Sequence, residues 1–277
     1  MESNQQQLTT ALKHPRLLPL LVCPRDKDHL CQQGNHLIRP QGHRYAVTDG
    51  IPILLISEVE RTHIEGTRAL AVAESDDASA LPEFDAGPNE IDPFVRNSIG
   101  ATNGGLYQHL VGTLTEYPIP RLRLAAGEKR SFLEIGCNWG RWCIAAARSG
   151  YCPVGIDPSL KSIRAACRVA KQLGVEAAFL VADGRFLPFR DQSFDQVFSY
   201  SVLQHLSKEN TLTALMKFAA LCESEEVHWS SCRTCTGYGA CITRFVAAFA
   251  NRGILRSDTG SRRNCSPPSV PELAIHA

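Results

Sequence analysis

Ser131–Gly140 reads SFLEIGCNWG, and the ten residues after it read RWCIAAARSG. The first stretch is an apolar run that ends in a carboxylate and then small residues at alternating positions; the second has the composition of a helix. A strand that enters a tight turn and leaves as a helix makes a nucleotide site. The turn needs residues that tolerate positive φ and let a ligand approach the backbone, and the first amides of the helix are free to face that ligand. Gly136 and Gly140 suit such a turn, with Asn138 tolerable between them. A dinucleotide turn, G-x-G-x-x-G, wants a small residue where this chain has Arg141. The spacing is instead E-x-G-x-N-x-G, from Glu134 to Gly140.

Working outward, CPVGID at Cys152–Asp157 reads as the next strand and ends in a carboxylate, which can accept hydrogen bonds from both hydroxyls of a ribose. Asp157 also fits as a helix N-cap, because Pro158 follows at a favourable first helical position. A third strand, EAAFLVAD, ends at Asp183 before Gly184 and the run RFLPF, and a fourth, FDQVFSYSV, spans Phe194–Val202. Strands alternating with helices predict an α/β fold: a Rossmann-like parallel sheet with helices on both faces and ligands at the carboxyl ends of the strands.

The pattern from about Leu106 to Leu221 resembles class I S-adenosylmethionine-dependent methyltransferases of the type 11 kind, whose first motif is E/D-x-G-x-G-x-G; Asn138 stands in place of the middle glycine. The resemblance implies methyl transfer with S-adenosyl-L-methionine as cofactor and a small-molecule, lipid or glycan-precursor acceptor. It implies a cofactor site of Glu134, Gly136, Asn138 and Gly140 at the turn, and of Asp157 on the ribose. Asp183 would contact the adenine amino group with Gly184 beside it, and Ser199 and Tyr200 of the fourth strand complete the cofactor site. Methyl transfer is an in-line displacement with the leaving group already on the cofactor, so the protein chiefly positions the reactants. A base is needed only for an acceptor proton of high pKa. His205 and Gln204 are candidates near the fourth strand, and no catalytic residue is assigned. Two rivals are a degenerate scaffold that binds cofactor or partner without turnover, and a dehydrogenase, which Arg141 disfavours.

Composition bounds the rest. The 277 residues can hold one large domain and a small one, and Lys+Arg 29 against Asp+Glu 28 gives no field for gathering nucleic acid. The start, MESNQQQLTT, has no signal-peptide pattern and LLPLLV is too short to cross a bilayer, so a soluble cytoplasmic protein is expected. The eleven cysteines are then expected to be reduced thiols.

Residues 1–16 are expected to form a disordered tail. The segment 17–57 resembles the small zinc-ribbon activators of tRNA and release-factor methyltransferases, through LVCP at Leu21–Pro24 and RYAVTDGIPILL at Arg44–Leu55. Structural zinc needs two close pairs of thiolate or imidazole ligands. Cys23 remains, its C-x-x-C partner position is Asp26, and the second pair expected near Arg39 and Gly42 is absent, so no metal is expected even with His29, Cys31, His36 and His43 nearby. Residues 58–90 have a linker composition. The methyltransferase domain is placed at 91–224, beginning with a lid segment that contains Tyr107 and His109.

After Leu221 the composition changes abruptly. Cys232 and Cys235, with Cys222, His228 and Cys241, allow a zinc knuckle. The other reading is a shifted frame from Glu225 onward, because the neighbouring frame permits GGPLVVMPN, the glycine turn and apolar fifth strand expected there. On that reading 225–277 is an aberrant tail and strands five to seven are missing or disordered.

Overall fold

The computed structural model describes residues 12–222, apart from 41, 61–62, 76–86, 88–89, 106 and 204–206, together with 227–230 and 245–246. Its strands are β1 (Cys31–Gln33), β2 (His36–Ile38), β3 (Arg44–Thr48), β4 (Ile51–Leu54), β5 (Ser131–Ile135), β6 (Cys152–Asp157), β7 (Ala178–Ala182), β8 (Gln196–Tyr200), β9 (Val227–Ser230) and β10 (Phe245–Val246). The helices are α1 (Ile64–Glu74), α2 (Pro93–Ser98), α3 (Arg141–Arg148), α4 (Leu160–Gln172) and α5 (Lys208–Leu221).

All ten strands form one sheet in the order β1-β2-β3-β4-β7-β6-β5-β8-β9-β10. The run β4-β7-β6-β5-β8-β9 is parallel throughout, and β7, buried at every residue, has the apolar composition of a strand covered on both faces. This is the Rossmann-like α/β architecture expected from the sequence.

The ribbon is not a separate bead. Its last strand, β4, pairs in parallel with β7 through Ile53 opposite Val181 and Leu54 opposite Ala182, and all four β4 residues are buried. One apolar core runs from Leu17, Leu21, Leu30 and Leu37 of the ribbon to Leu133, Ile156, Leu180 and Phe218 of the large domain. Leu12 joins this core, within the stretch expected to be disordered. Leu12 is buried, Lys13 N–H donates to the Gly50 carbonyl, and a 3-10 helix starts at Pro15.

The segment read as a linker opens with helix α1. His63 caps it by accepting the Glu65 N–H through Nδ1, and Ala69 packs in the core formed with Ile51, Ile53, Ile163 and Phe179. At the other edge β9 pairs in parallel with β8, Val197 opposite Val227 to Tyr200 opposite Ser230, and β10 pairs with β9 antiparallel. The expectation that strands five to seven are missing is therefore corrected at the fifth position, which four residues of the tail fill. The proposed cysteine knuckle at Cys232, Cys235 and Cys241 lies outside the described residues.

Candidate active site

Strand β5 brings Glu134 to the sheet interior, where it is 2% exposed and its Oε2 accepts the Cys143 N–H at 2.9 Å. That bond fixes the first turn of α3 against β5. Burial pushes the Glu134 carboxyl up to about 8, with the Cys143 hydrogen bond and the Arg141 charge pulling it down.

The turn follows the sequence reading closely. Gly136 and Gly140 adopt φ of +77° and +79°, and Asn138 takes the left-handed region at +50°. A Cβ on Gly140 would stand 2.9 Å from the Phe179 ring, so the turn needs glycine for space as well as for conformation. Gly140 is the N-cap of α3 and offers no side-chain cap, so apart from the Cys143 amide that Glu134 holds, the helix's amino end is open to a ligand.

Asp157 at the tip of β6 is partly buried. Its Oδ2 accepts the Asn138 N–H at 3.0 Å and its Oδ1 accepts the Ser159 N–H at 2.9 Å, so one carboxylate ties the turn to the β6 tip. Burial lifts its pKa to about 6 against those two amides. The N-cap of α4 is Ser159, whose Oγ accepts the Ser162 N–H, and not Asp157.

At the tip of β7, Asp183 is held differently. Arg185 clamps it through Nε at 3.1 Å to Oδ1 and Nη2 at 2.7 Å to Oδ2, and the Arg185 N–H also donates to Oδ1. Gly184 lies against Ile135, whose Cγ2 would be 3.0 Å from an added Cβ. Ser199 is buried, and its hydroxyl donates to the Ile135 carbonyl at 3.2 Å. Tyr200 is partly buried and its ring faces the Arg141 guanidinium at 5.5 Å. Glu134, Gly136, Asn138, Gly140, Asp157 and Asp183 thus gather at the carboxyl ends of β5, β6 and β7. Ser199 and Tyr200 lie at the end of β8, where the Ser199 hydroxyl is spent within the protein.

In the sequence Arg141 bears only on the rejection of a dinucleotide turn, and Arg185 carries no signal of its own. Arg185 stands two residues from a carboxylate, a separation with no periodic signal. Tyr107 is partly buried and His109 exposed; Gln204 and His205 lie outside the described residues.

In the ribbon, the corner expected to have lost its zinc ligands holds an ion cluster. The Arg39 guanidinium bridges Asp26, at 2.8 Å, and Asp28, at 2.5 Å, while the Cys23 Sγ lies 3.2 Å from the Tyr45 hydroxyl. A charged clamp thus joins the two turns that paired zinc ligands join in such ribbons.

Residues 132–225 match the methyltransferase-domain family model. Over 95 residues the chain is 32% identical to norajmaline N-methyltransferase of Rauvolfia serpentina, a match covering 33% of this chain and 32% of the relative. Over 75 residues it is 33% identical to ubiquinone biosynthesis O-methyltransferase of Agrobacterium fabrum, covering 27% of this chain and 30% of the relative. The chain spans about a third of the length of these two methyltransferases. Its amino-terminal part is 56% identical over 43 residues to a UPF0434 protein of Vesicomyosocius okutanii, covering 15% of this chain and 73% of that relative. Fold and turn define a Rossmann-like methyltransferase domain. Residues 132–225 are a methyltransferase domain with the class I fold, and a ribbon of the UPF0434 family lies on its amino-terminal side.

Proposed function

We propose that the protein transfers a methyl group from S-adenosyl-L-methionine to a small-molecule, lipid or glycan-precursor acceptor. The observation that supports this most is the bond from the Asn138 N–H to Asp157. It places a positive-φ turn, an open helix end and a carboxylate at one point on the carboxyl edge of a parallel sheet. The buried Asn138 Oδ1, which has no hydrogen-bond partner, fits a site completed by a ligand.

On this reading Asp157 accepts the ribose hydroxyls, and the α3 amides and the Gly136–Gly140 backbone lie along the rest of the ligand. Asp183 receives the adenine amino group at Oδ2, where the Arg185 Nη2 bond leaves one acceptor position, Oδ1 being filled by the Arg185 N–H and Nε. Glu134 does its work through the backbone, holding Cys143 and so the start of α3. The cofactor supplies an activated methyl on a good leaving group, and the chain's task is alignment and exclusion of water. The division into a ribbon at 17–57, a methyltransferase domain at 91–224 and a tail from 225, and a cytoplasmic setting, belong to the same proposal. No helix among the described residues is long and apolar enough to cross a membrane.

Equilibrium dialysis of the full chain against labelled S-adenosylmethionine tests the reading. One bound equivalent per chain is expected, and no saturable binding contradicts it. The alternative, a scaffold that binds without turnover, draws support from a fifth strand only four residues long. Transfer of label to any acceptor fraction excludes it.

A further inference from the structure

Arg141 opens α3, directly after the last glycine of the turn, and is 8% exposed. Three aromatic rings surround its guanidinium: Tyr107 of the lid segment at 5.3 Å from Cζ, Tyr200 at the tip of β8 at 5.5 Å, and the neighbouring Trp142 at 5.9 Å. The rings offer their faces to the positive charge. They offer no lone pairs to its in-plane N–H groups. The Nη1 nitrogen is sealed from solvent without a hydrogen-bond partner, and no ion pair joins Arg141 to a carboxylate among the described residues.

A guanidinium cannot shed its proton, so a buried one left unpaired costs free energy until an anion meets it. The fork of N–H donors matches a carboxylate or phosphate, which accepts in two places at once. The cage also has a definite place in the sheet. Asp157, the proposed ribose ligand, lies on the β6 side of the turn, whereas Tyr107 and Tyr200 put Arg141 on the β8 side, beneath the lid. The geometry points to Arg141, ringed by Tyr107, Trp142 and Tyr200, as the residue that selects an acceptor bearing a carboxylate or phosphate next to an apolar or aromatic body. This rests on the methyltransferase reading and names the substrate class for it.

The test uses the full chain, with and without S-adenosylhomocysteine, titrated with benzoate, phenyl phosphate and the neutral benzamide while tryptophan emission is followed. Benzoate or phenyl phosphate is expected to bind at least about tenfold more tightly than benzamide, since a charge-assisted pair is worth more than a neutral one. In Arg141→Met that preference should vanish, and in Arg141→Lys it should shrink, because the fork is lost and the charge kept. Equal binding of benzoate, phenyl phosphate and benzamide to the unmodified chain overturns the proposal without any variant having to fold. A second arm compares S-adenosylhomocysteine with 5′-methylthioadenosine, which lacks the amino-acid carboxylate. If Arg141→Met weakens only the former about tenfold or more, the anion is the cofactor's own and the acceptor assignment falls. Failure of the unmodified chain to bind either nucleoside rejects the methyltransferase reading instead, and the benzoate preference measured without nucleoside still decides the role of Arg141.

Discussion

Asp157 and Asp183 end neighbouring parallel strands and look alike in the sequence, yet the structure treats them in opposite ways. Asp157 meets only backbone amides, from Asn138 and Ser159, and burial lifts its pKa to about 6. Asp183 is clamped by the Arg185 guanidinium, its ion-pair partner at 2.7 Å. A carboxylate held by two amides keeps its charge uncompensated and open to a ligand's hydroxyls. One held by a guanidinium has already found its counter-charge. On the proposed reading a strand-tip acid marks a ligand site through the groups around it: Asp157 takes the Asn138 amide from the turn between β5 and α3 and the Ser159 amide from the start of α4, whereas Asp183 takes Arg185.

The largest expected effect falls on the turn itself. Gly140→Ala should destabilise the protein by about 2–4 kcal/mol, combining the left-handed backbone cost with overpacking against Phe179. Urea unfolding checks it, and a loss near zero would mean the turn rearranges freely and does not organise the Asp157 side.

Glu134 comes next. Its carboxyl is held near 8 against an ordinary 4.5, so the native state binds the proton more tightly than the unfolded chain. Its stabilising contribution is full below about 4.5 and lost as the pH rises through about 8. Glu134→Gln does not titrate, and between pH 5 and pH 8 it should lose less stability than the parent, by on the order of 2 kcal/mol. Identical pH dependence of the two in denaturant melts would show that Glu134 is ionised in the folded state.

A smaller effect is expected at the clamp. Arg185→Ala should cost about 1 kcal/mol of stability, since it leaves Asp183 without its counter-charge. Thermal and urea unfolding measure it. A loss as large as that of Gly140→Ala would make the clamp a main support of the β7 tip and reverse the ranking of the two tips.

Much of this was legible from residues alone. β5 to β8 and the helices between them show as apolar runs bounded by turns, and the residue types at Gly136, Asn138 and Gly140 announce positive φ before any coordinates. What stayed hidden depends on distance or on single contacts. Ile64–Glu74 has a small-residue composition that gives little apolar periodicity, and α1 forms because Ala69 finds the β3, β4 and α4 surface. The apolar DGIPILL run reads as a strand, but nothing in it tells that it pairs with β7, which follows more than a hundred residues later. The Arg141 cage collects rings from three separate segments, and the Arg39 cluster replaces ligands with charges of a wholly different chemistry. Val227–Ser230 sits in a region whose composition argues against a strand, and its pairing with β8 comes from the open sheet edge.

The central claim is that the β6 tip contributes more to cofactor affinity than the β7 tip does. Calorimetric titration of S-adenosylhomocysteine into the parent chain, Asp157→Ala and Asp183→Asn at pH 7.5 tests it most directly, the pH being chosen above the Asp157 pKa of about 6. Asp157→Ala should lose roughly 1.5–3 kcal/mol of binding, about tenfold or more in affinity, because a charge-assisted contact disappears. Asp183→Asn, which keeps an acceptor oxygen, should change affinity by less than about threefold. Unchanged binding in Asp157→Ala, or a larger loss in Asp183→Asn, would contradict the account.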